Sequence, residues 1–475
     1  MKINTVKKSI LVRFFIGFIG IIYSSYGFCF SLFSPDIKSS IIFYNLSKNK
    51  IIYEKNSDIP LIPASLQKLI TTATVLDTWG PTKTFSTNIY YQGQFNPTSG
   101  IINGDLIIVG GGDPYITSEK MFAICHDLVA MGIKKIEGNI LIDNSLFDDD
   151  MFSSGRKSIN YSQRSYDAPI TAFAVNFNTL SLSIYPGPTV GSSPLVKMYP
   201  LILNNVVIKN KVKTVSGDRS KLTLERTSLS HGNILEISGT IGVHSKLKKK
   251  YCSISDPVMI AQEYSKAFLK NAGIEIVERK STKTYPQEEK HLLLEYKGDP
   301  IFKLITSINQ YSNNFMADTI SKSLGTLKKD KNISLKDGLS VIEDFLKTKV
   351  KMEKEFKIED GSGLSTGNRL SSKQVLDLLI YMYGRDDIFQ EYLLSLAIPQ
   401  ENGSLKKRSY LRKIRAKTGT LTSPVAVANI AGYMWNASGD IIAFAIINNA
   451  KKLSSIVDIR DKQDELINSI LSSSN

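Results

Sequence analysis

Ser65 and Lys68 are the two residues of this sequence best suited to nucleophilic catalysis. Pro63 precedes them, where a helix can begin, and apolar residues follow at helical spacing: Leu66, Leu69, Ile70, Ala73 and Leu76. The pattern predicts a helix that begins near Ser65 and carries Lys68 one turn later on the same face. A lysine whose pKa is depressed by burial, by the helix dipole or by a second cation can take the proton of a serine hydroxyl. The pair therefore predicts a serine nucleophile with a lysine base.

A second polar cluster, Ser312-Asn313-Asn314, lies within residues 302–320. The apolar residues on either side of it predict two helical pieces joined near Ser312. In a joint of this kind Ser312 can relay a proton, and the carboxamide of Asn314 can bind the backbone of a substrate. On its own the cluster would be a polar loop or a helix cap.

A third cluster, Lys417-Thr418-Gly419-Thr420, opens a predicted strand. Lys417 is the candidate second cation, and together with Thr418 it can hold a substrate carboxylate. Gly419 leaves room for a substrate that docks along the strand edge. The backbone amides of Ser65 and Thr420 are then candidates for an oxyanion hole.

The surrounding patterns predict the elements that must position these clusters. Residues 41–45 and 51–54 form an opening hairpin, residues 425–434 and 441–448 form a closing hairpin, and residues 453–472 form a last helix. Ser312 lies 244 positions after Lys68 (312 − 68), far more than a helix pair requires. Short β-like runs fill this stretch, namely 88–91, 106–109, 139–142, 180–185, 222–225 and 234–237. The sequence therefore predicts a large, mostly β insertion.

The three clusters spell S-x-x-K, S-x-N and K-T-G in that order, and the chain resembles the class C low-molecular-mass penicillin-binding proteins, which are D-alanyl-D-alanine carboxypeptidases and endopeptidases. The likeness extends over nearly the whole chain after the first three dozen residues. It includes Gly104-Asp105-Leu106, Gly112-Asp113-Pro114, Ala168-Pro169-Ile170, residues 360–365 with Asn368-Arg369, and Gly432-Tyr433. One departure is Thr366, where members of the family often carry Arg, so part of the pocket for the substrate side chain differs.

The resemblance implies an α+β fold in which a β-lactamase/transpeptidase-like catalytic domain carries two extra domains. We expect residues 35–85 and 285–475 to form the discontinuous catalytic domain. Residues 86–160 and 255–284 would form inserted domain II, and residues 161–254 would form inserted domain III. The resemblance also implies that Asp143 contacts the amine of a diaminopimelate side chain, whereas its position after a predicted strand equally suits an Asp that closes a turn.

The first residues resemble a secretory signal, because Lys2, Lys7, Lys8 and Arg13 precede a short apolar stretch over residues 14–23. We expect a signal peptide over residues 1–27, with cleavage after Gly27 or, second, after Ser31. The product would be exported to the periplasm or cell envelope. Removal of the signal peptide takes four positive charges from the net +15 of the chain and leaves +11. A basic surface favours peripheral contact with anionic envelope polymers or membranes, and nothing in the sequence suggests nucleic-acid binding.

Competing chemistries fail on residue order and spacing. Residues 363–367 match the G-x-S-x-G elbow of α/β-hydrolases around Ser365, but that fold needs a later histidine, and His126, His231, His244 and His291 all precede it. Neither these histidines nor the three cysteines have the spacing of metal ligands, so we expect no metal and no cofactor. Cys125 and Cys252 could pair in an oxidising compartment or remain two buried thiols.

These observations favour a serine DD-carboxypeptidase and DD-endopeptidase that cleaves D-Ala-D-Ala bonds and D-Ala cross-links of peptidoglycan through a Ser65 acyl-enzyme. We expect peptidoglycan peptides as substrates and β-lactams as covalent inhibitors. Two alternatives stay open: a β-lactamase or esterase on the same scaffold, and a non-catalytic sensor of penicillin or muropeptides that is acylated and stops.

Overall fold

The computed structural model describes residues 33–34, 36–157, 163–279, 290–450 and 455–473. The predicted signal peptide and both cleavage positions, Gly27 and Ser31, lie outside the described residues. Among the helices that the structure describes, none is both long and apolar enough to cross a bilayer.

A five-stranded antiparallel sheet joins the two ends of the chain. Its strands, in spatial order, are β15 (Ile414–Leu421), β16 (Ala426–Trp435), β17 (Ile441–Ala450), β1 (Ile37–Asn45) and β2 (Lys50–Lys55). Both predicted hairpins are confirmed, and β1 pairs directly with β17. Strand β17 is buried on both faces, because its successive side chains alternate between two separate cores.

Helices cover both faces of this sheet. On one face they are α1 (Gln67–Trp79), α5 (Ile301–Tyr311), α6 (Asn314–Ser323), α7 (Leu335–Thr348), α8 (Ser372–Tyr383) and α9 (Phe389–Ser395). On the other face α10 (Ser455–Ser473) packs through Ile459 and Ile467, which confirms the predicted closing helix. The joint predicted near Ser312 is the break between α5 and α6.

The insertion contains a six-stranded sheet and two three-stranded sheets. The larger sheet consists of β3 (Ser86–Asn96), β4 (Ile101–Val109), β5 (Lys135–Ile136), β6 (Ile140–Asp143), β13 (Glu275–Ile276) and β14 (His291–Lys297). One small sheet contains β7 (Thr179–Tyr185), β8 (Leu195–Tyr199) and β12 (Lys248–Ser253). The other contains β9 (Val206–Val215), β10 (Ser220–Leu229) and β11 (Gly232–Gly242). Helices α2 (Ser118–Ala130) and α4 (Pro257–Asn271) pack with the larger sheet, and α3 (Ser154–Lys157) is a single turn.

Strand pairing bears on one expected domain boundary. The sequence assigned residues 285–475 to the catalytic domain, but β14 pairs with β3 and so completes the inserted sheet. We therefore propose that the return to the catalytic domain falls at Gly298-Asp299-Pro300, just before α5. The remaining division into domains stays a prediction.

Candidate active site

Ser65 lies in a sharp turn at the start of α1. Residues Ala64–Leu66 form a single 3-10 turn, and Ala64 has a left-handed backbone with φ of 46°. Gly363 packs against this turn so closely that a Cβ there would lie 1.8 Å from the Ala64 carbonyl oxygen. The predicted helix is present as α1. The loop that contains Gly363 packs against the turn before it and so fixes the position of Ser65.

The amine of Lys68 is surrounded by three oxygen atoms. Its Nζ lies 3.1 Å from Ser65 Oγ, 2.7 Å from Asn314 Oδ1 and 2.5 Å from the carbonyl oxygen of Ser362. The two carbonyl-type oxygens can only accept hydrogen bonds. A neutral amine that keeps donating to both of them turns its lone pair toward Ser65 Oγ. This arrangement suits Lys68 to take the Ser65 proton.

Burial lowers the pKa of Lys68 to about 8, because the charged ammonium loses its hydration in a site where the side chain is 0% exposed. The carboxylates of Asp318 and Asp360 oppose this shift, and the guanidinium of Arg156 adds to it. The sequence predicted Lys417 as the second cation that lowers the Lys68 pKa. In the structure Arg156 is a further cation that lowers this pKa, and Lys417 also interacts with Lys68, since the charge of Lys68 lowers the pKa of Lys417.

Arg156 and Asp318 form a fully buried ion pair behind the site. Arg156 Nη2 lies 2.9 Å from Asp318 Oδ2, and Arg156 Nη1 donates to the carbonyl oxygen of Ala168 at 2.6 Å. Burial raises the pKa of Asp318 to about 6. Sequence reasoning missed both residues. Asp318 could have been identified from the sequence, because it lies four positions after Asn314 and therefore on the same face of α6.

A loop organised by Asp360 delivers the Ser362 carbonyl to Lys68. Asp360 Oδ1 accepts from the backbone N–H of Gly363 at 2.7 Å, and its Oδ2 accepts from that of Ser365 at 2.6 Å. Asn368 Nδ2 donates to the same carboxylate at 3.0 Å. The segment around the G-x-S-x-G match is therefore a buried loop that supports the base. Ser365 itself donates to Glu359.

Ser312 faces Lys417 across the site. It lies at the break between α5 and α6 with a left-handed backbone, φ 58°, and its Oγ is 2.9 Å from Lys417 Nζ. Asn313 caps α6 by accepting from the backbone N–H of Met316 at 3.1 Å. Burial and the charge of Lys68 hold the pKa of Lys417 well below its usual value. The structure thus joins Ser312 to one lysine and Ser65 to the other.

The edge of strand β15 runs beside the nucleophile. Ala416 exchanges two backbone hydrogen bonds with Ala397, at 3.0 and 3.1 Å, on the side away from β16. Backbone alternation turns the N–H groups of Thr418 and Thr420 toward that same outer edge. A Cβ at Gly419 would lie 2.8 Å from the Pro63 carbonyl oxygen. Only glycine allows the strand to approach the turn of Ser65 so closely.

A cleft of about 780 Å³ opens onto Ser65. Ser312, Asn314 and Thr420 line it, together with Thr366 at the position where the resemblance showed a departure. The lining also includes Gly155, Arg164, Tyr166, Gly363, Leu364, Leu421, Thr422, Ser423 and Pro424. Lys417 is buried behind this surface, and Thr418 Oγ1 donates to Ser404 Oγ at 2.8 Å.

Asp143 lies apart from this cleft. Its Oδ1 accepts from the backbone N–H of Ser145 at 2.9 Å, and its Oδ2 lies 3.5 Å from Lys290 Nζ. The carboxylate therefore closes a turn at the end of β6, and it is not among the residues that line the cleft.

Cys125 and Cys252 are both buried and unbonded, which matches the alternative of two separate thiols. Within the described ranges, no group of three or more His, Cys, Asp and Glu side chains is placed to hold a metal ion.

Comparison with known proteins gives matches over most of the chain. A model of the D-Ala-D-Ala carboxypeptidase 3 (S13) family matches residues 34–470. The D-alanyl-D-alanine carboxypeptidase DacB of Haemophilus influenzae is 23% identical over 410 residues, which cover 84% of this chain and 83% of that protein.

Solved structures show the same fold. Penicillin-binding protein 4 from Haemophilus influenzae superposes with a TM-score of 0.76 at 21% identity, over 93% of this chain and 98% of its own. That protein has also been solved in complex with a β-lactam. The predatory endopeptidase Bd0816 from Bdellovibrio bacteriovorus superposes with a TM-score of 0.53 at 14% identity, over 91% of this chain and 94% of its own.

Proposed function

The chain belongs to the D-Ala-D-Ala carboxypeptidase 3 (S13) family, and from that premise we propose that Ser65 is the nucleophile with which it cleaves the bond after a D-alanine of peptidoglycan. As a member of this family it is a serine-type D-alanyl-D-alanine carboxypeptidase. The assignment of Ser65 rests on the environment of Lys68. The neutral Lys68 amine donates its two hydrogens to Asn314 Oδ1 and the Ser362 carbonyl oxygen, so its lone pair faces the Ser65 hydroxyl.

Acylation begins when Lys68 takes the Ser65 proton. Ser65 Oγ attacks the carbonyl carbon of the penultimate D-alanine, and the new oxyanion accepts from the backbone N–H groups of Ser65 and Thr420. The leaving amine needs a proton when the bond breaks. Ser312 relays to it the proton that Lys68 took from Ser65, and Lys417, 2.9 Å from Ser312 Oγ, holds that hydroxyl in place. Water then hydrolyses the acyl-enzyme by the reverse sequence of proton transfers.

The substrate adds a strand to the outer edge of β15. Its backbone pairs with the outward-facing groups of Thr418 and Thr420, a common way for extended peptides to bind a sheet edge. Asn314 binds its amide, and Gly419 lets the added strand lie close to Ser65. The hydroxyl of Thr418 and the charge of Lys417 hold the terminal carboxylate.

The same nucleophile serves carboxypeptidase and endopeptidase reactions. In the first reaction the leaving group is a free D-alanine, and in the second it is the side-chain amine of a neighbouring peptide. The Bdellovibrio neighbour is an endopeptidase by name, and the cleft that opens onto Ser65 has a volume of about 780 Å³. A β-lactam presents an acyl group to the same Ser65 hydroxyl and remains attached as a covalent inhibitor.

Purified cross-linked muropeptides test this proposal. We expect the protein to release D-alanine from pentapeptides and to convert cross-linked dimers to monomers, both resolved by chromatography with mass detection. Ser65→Ala should abolish both reactions. Acylation by penicillin without any muropeptide product would identify the sensor instead, and rapid penicillin hydrolysis without muropeptide cleavage would identify the β-lactamase.

We also propose that the mature protein is exported to the periplasm or cell envelope, where its substrate lies. The support is the basic and then apolar order of residues 2–23. The proposal of peripheral contact with envelope polymers is supported by the net charge alone. Fractionation of cells should recover a product that begins near residue 28, and a full-length chain in the cytoplasm would contradict export.

A further inference from the structure

A second cavity, of about 410 Å³, adjoins the catalytic cleft on the side of the insertion. Tyr166, Ser312 and Asn314 line both cavities. The two spaces therefore meet at the site of the proton relay. A ligand bound at Ser65 therefore lies next to this second cavity, whose far wall belongs to the β7–β8–β12 sheet.

The wall of this cavity is aromatic and hydroxylated. Five tyrosines line it, namely Tyr166, Tyr199, Tyr251, Tyr264 and Tyr311, and several Ser, Thr and Asn side chains stand between them. Among the described residues, no lysine or arginine lines it, and Glu119 is the one charged residue that does. The Lys249 Nζ lies 4.0 Å from the centroid of the Tyr199 ring, so this cation is engaged by that tyrosine.

Such a wall selects a neutral ligand with many hydroxyl or amide groups. Tyrosine combines a flat apolar face with a polar tip, so it can pack against the C–H face of a sugar ring and hydrogen-bond its substituents. An acidic peptide would instead need cations, which the lining does not offer. The volume lies within the range of roughly 300–1,000 Å³ that is usual for ligand sites.

The cavity wall is also held in a strained shape. Asn176, Phe177 and Asn178 are three consecutive residues with left-handed φ values of 52°, 61° and 52°. Backbone of this kind persists only where the surroundings hold it, and it is concentrated at functional sites. Asn176 Oδ1 accepts from the backbone N–H of Ser118 at 3.0 Å. The Phe177 ring packs 6.2 Å from that of Phe315, which is the residue after Asn314.

We propose that this cavity binds the N-acetylated sugar part of the substrate, so that the enzyme recognises glycan-linked peptides in preference to free ones. This proposal rests on the proposed function, because it places the sugar relative to a peptide at Ser65. Tyr251 is the residue through which to test it. Tyr251 is 50% exposed on β12 and is not among the residues that line the catalytic cleft.

The first experiment compares two substrates that share one peptide. The free pentapeptide and the same pentapeptide linked to its disaccharide are assayed with the parent enzyme and with Tyr251→Ala. Loss of one aromatic contact should raise KM for the disaccharide substrate by about 3- to 10-fold and leave KM for the free peptide unchanged. Tyr185→Ala is the matched control, because Tyr185 lies on the same sheet, is 42% exposed and does not line the cavity.

The second experiment does not depend on turnover. Binding of N,N′-diacetylchitobiose to the Ser65→Ala protein is followed by saturation-transfer NMR, and Tyr251→Ala in that background should weaken it by a similar factor. Equal KM changes for the two peptides, or chitobiose binding that is absent or insensitive to Tyr251, would overturn the sugar site. If neither peptide is cleaved while chitobiose still binds at Tyr251, the proposed function fails and the sugar site stands.

Discussion

The rate of acylation by penicillin should rise with pH through the pKa of Lys68. With that pKa at about 8, roughly one Lys68 side chain in ten is neutral at pH 7 and roughly nine in ten are neutral at pH 9. Because only the neutral amine can take the Ser65 proton, the second-order acylation rate constant should increase about tenfold over this range. Stopped-flow measurement with a fluorescent penicillin, between pH 6 and pH 9.5, gives the profile.

Lys68→Arg removes the titrating group and keeps a positive charge. A guanidinium stays protonated near neutral pH, so acylation should fall at least about 100-fold and the pH dependence should disappear. Lys322→Arg is the matched control, because Lys322 is equally buried but bonds to Asp148 and the Asp150 carbonyl, away from Ser65. The control should keep the parent rate and the parent profile.

Two results would refute this reasoning. A flat pH profile for the parent enzyme would mean that Lys68 is not the group whose deprotonation limits acylation. An equal loss of rate in Lys68→Arg and Lys322→Arg would mean that a buried guanidinium damages the fold itself. Thermal melting of each variant separates the second case from a local effect on catalysis.

Three further substitutions test the other assignments. Ser65→Ala should abolish covalent labelling by fluorescent penicillin on gels, whereas Ser365→Ala should retain it, and labelling of the Ser65 variant would exclude that residue as the nucleophile. Lys417→Arg should mainly raise KM for substrates with a terminal carboxylate, and a loss of acylation rate as large as that of Lys68→Arg would show that Lys417 is a base as well. Asp143→Asn should keep turnover of peptides with a free side-chain amine within about twofold, since its carboxylate closes a turn; a loss of the 1.5–3 kcal/mol typical of a charged hydrogen bond would make it an amine contact.

The local parts of the site could be predicted from the sequence because they depend on short patterns. The apolar spacing after Ser65 predicts the helix that carries Lys68, and the polar interruption at Ser312 predicts the break between α5 and α6. The hairpins around Lys417 follow from turn residues between apolar runs. In each case the residues that determine the element are within about fifteen positions of it.

The remaining features depend on contacts between distant parts of the chain. Nothing near residue 291 indicates that β14 completes the edge of β3, because the pairing partner lies two hundred positions earlier. The same is true of the Ser362 carbonyl, which lies beside Lys68 because the Asp360 carboxylate holds the loop that carries it. Backbone atoms carry no sequence signature, so a carbonyl that orients a catalytic amine is invisible in the sequence.

Arg156 links the insertion to the chemistry more directly than its place in the sequence suggests. It belongs to the inserted segment, yet its guanidinium pairs with Asp318 on the catalytic helix α6 and lowers the pKa of Lys68. Removing one partner of a buried ion pair costs about 3–5 kcal/mol, because the other charge is left without compensation. The loss of Arg156 would therefore loosen the contact between insertion and catalytic domain and, at the same time, raise the pKa of the base. The insertion is for this reason a structural part of the catalytic centre. Lys68, the base that serves Ser65, depends on the insertion for part of its electrostatic environment.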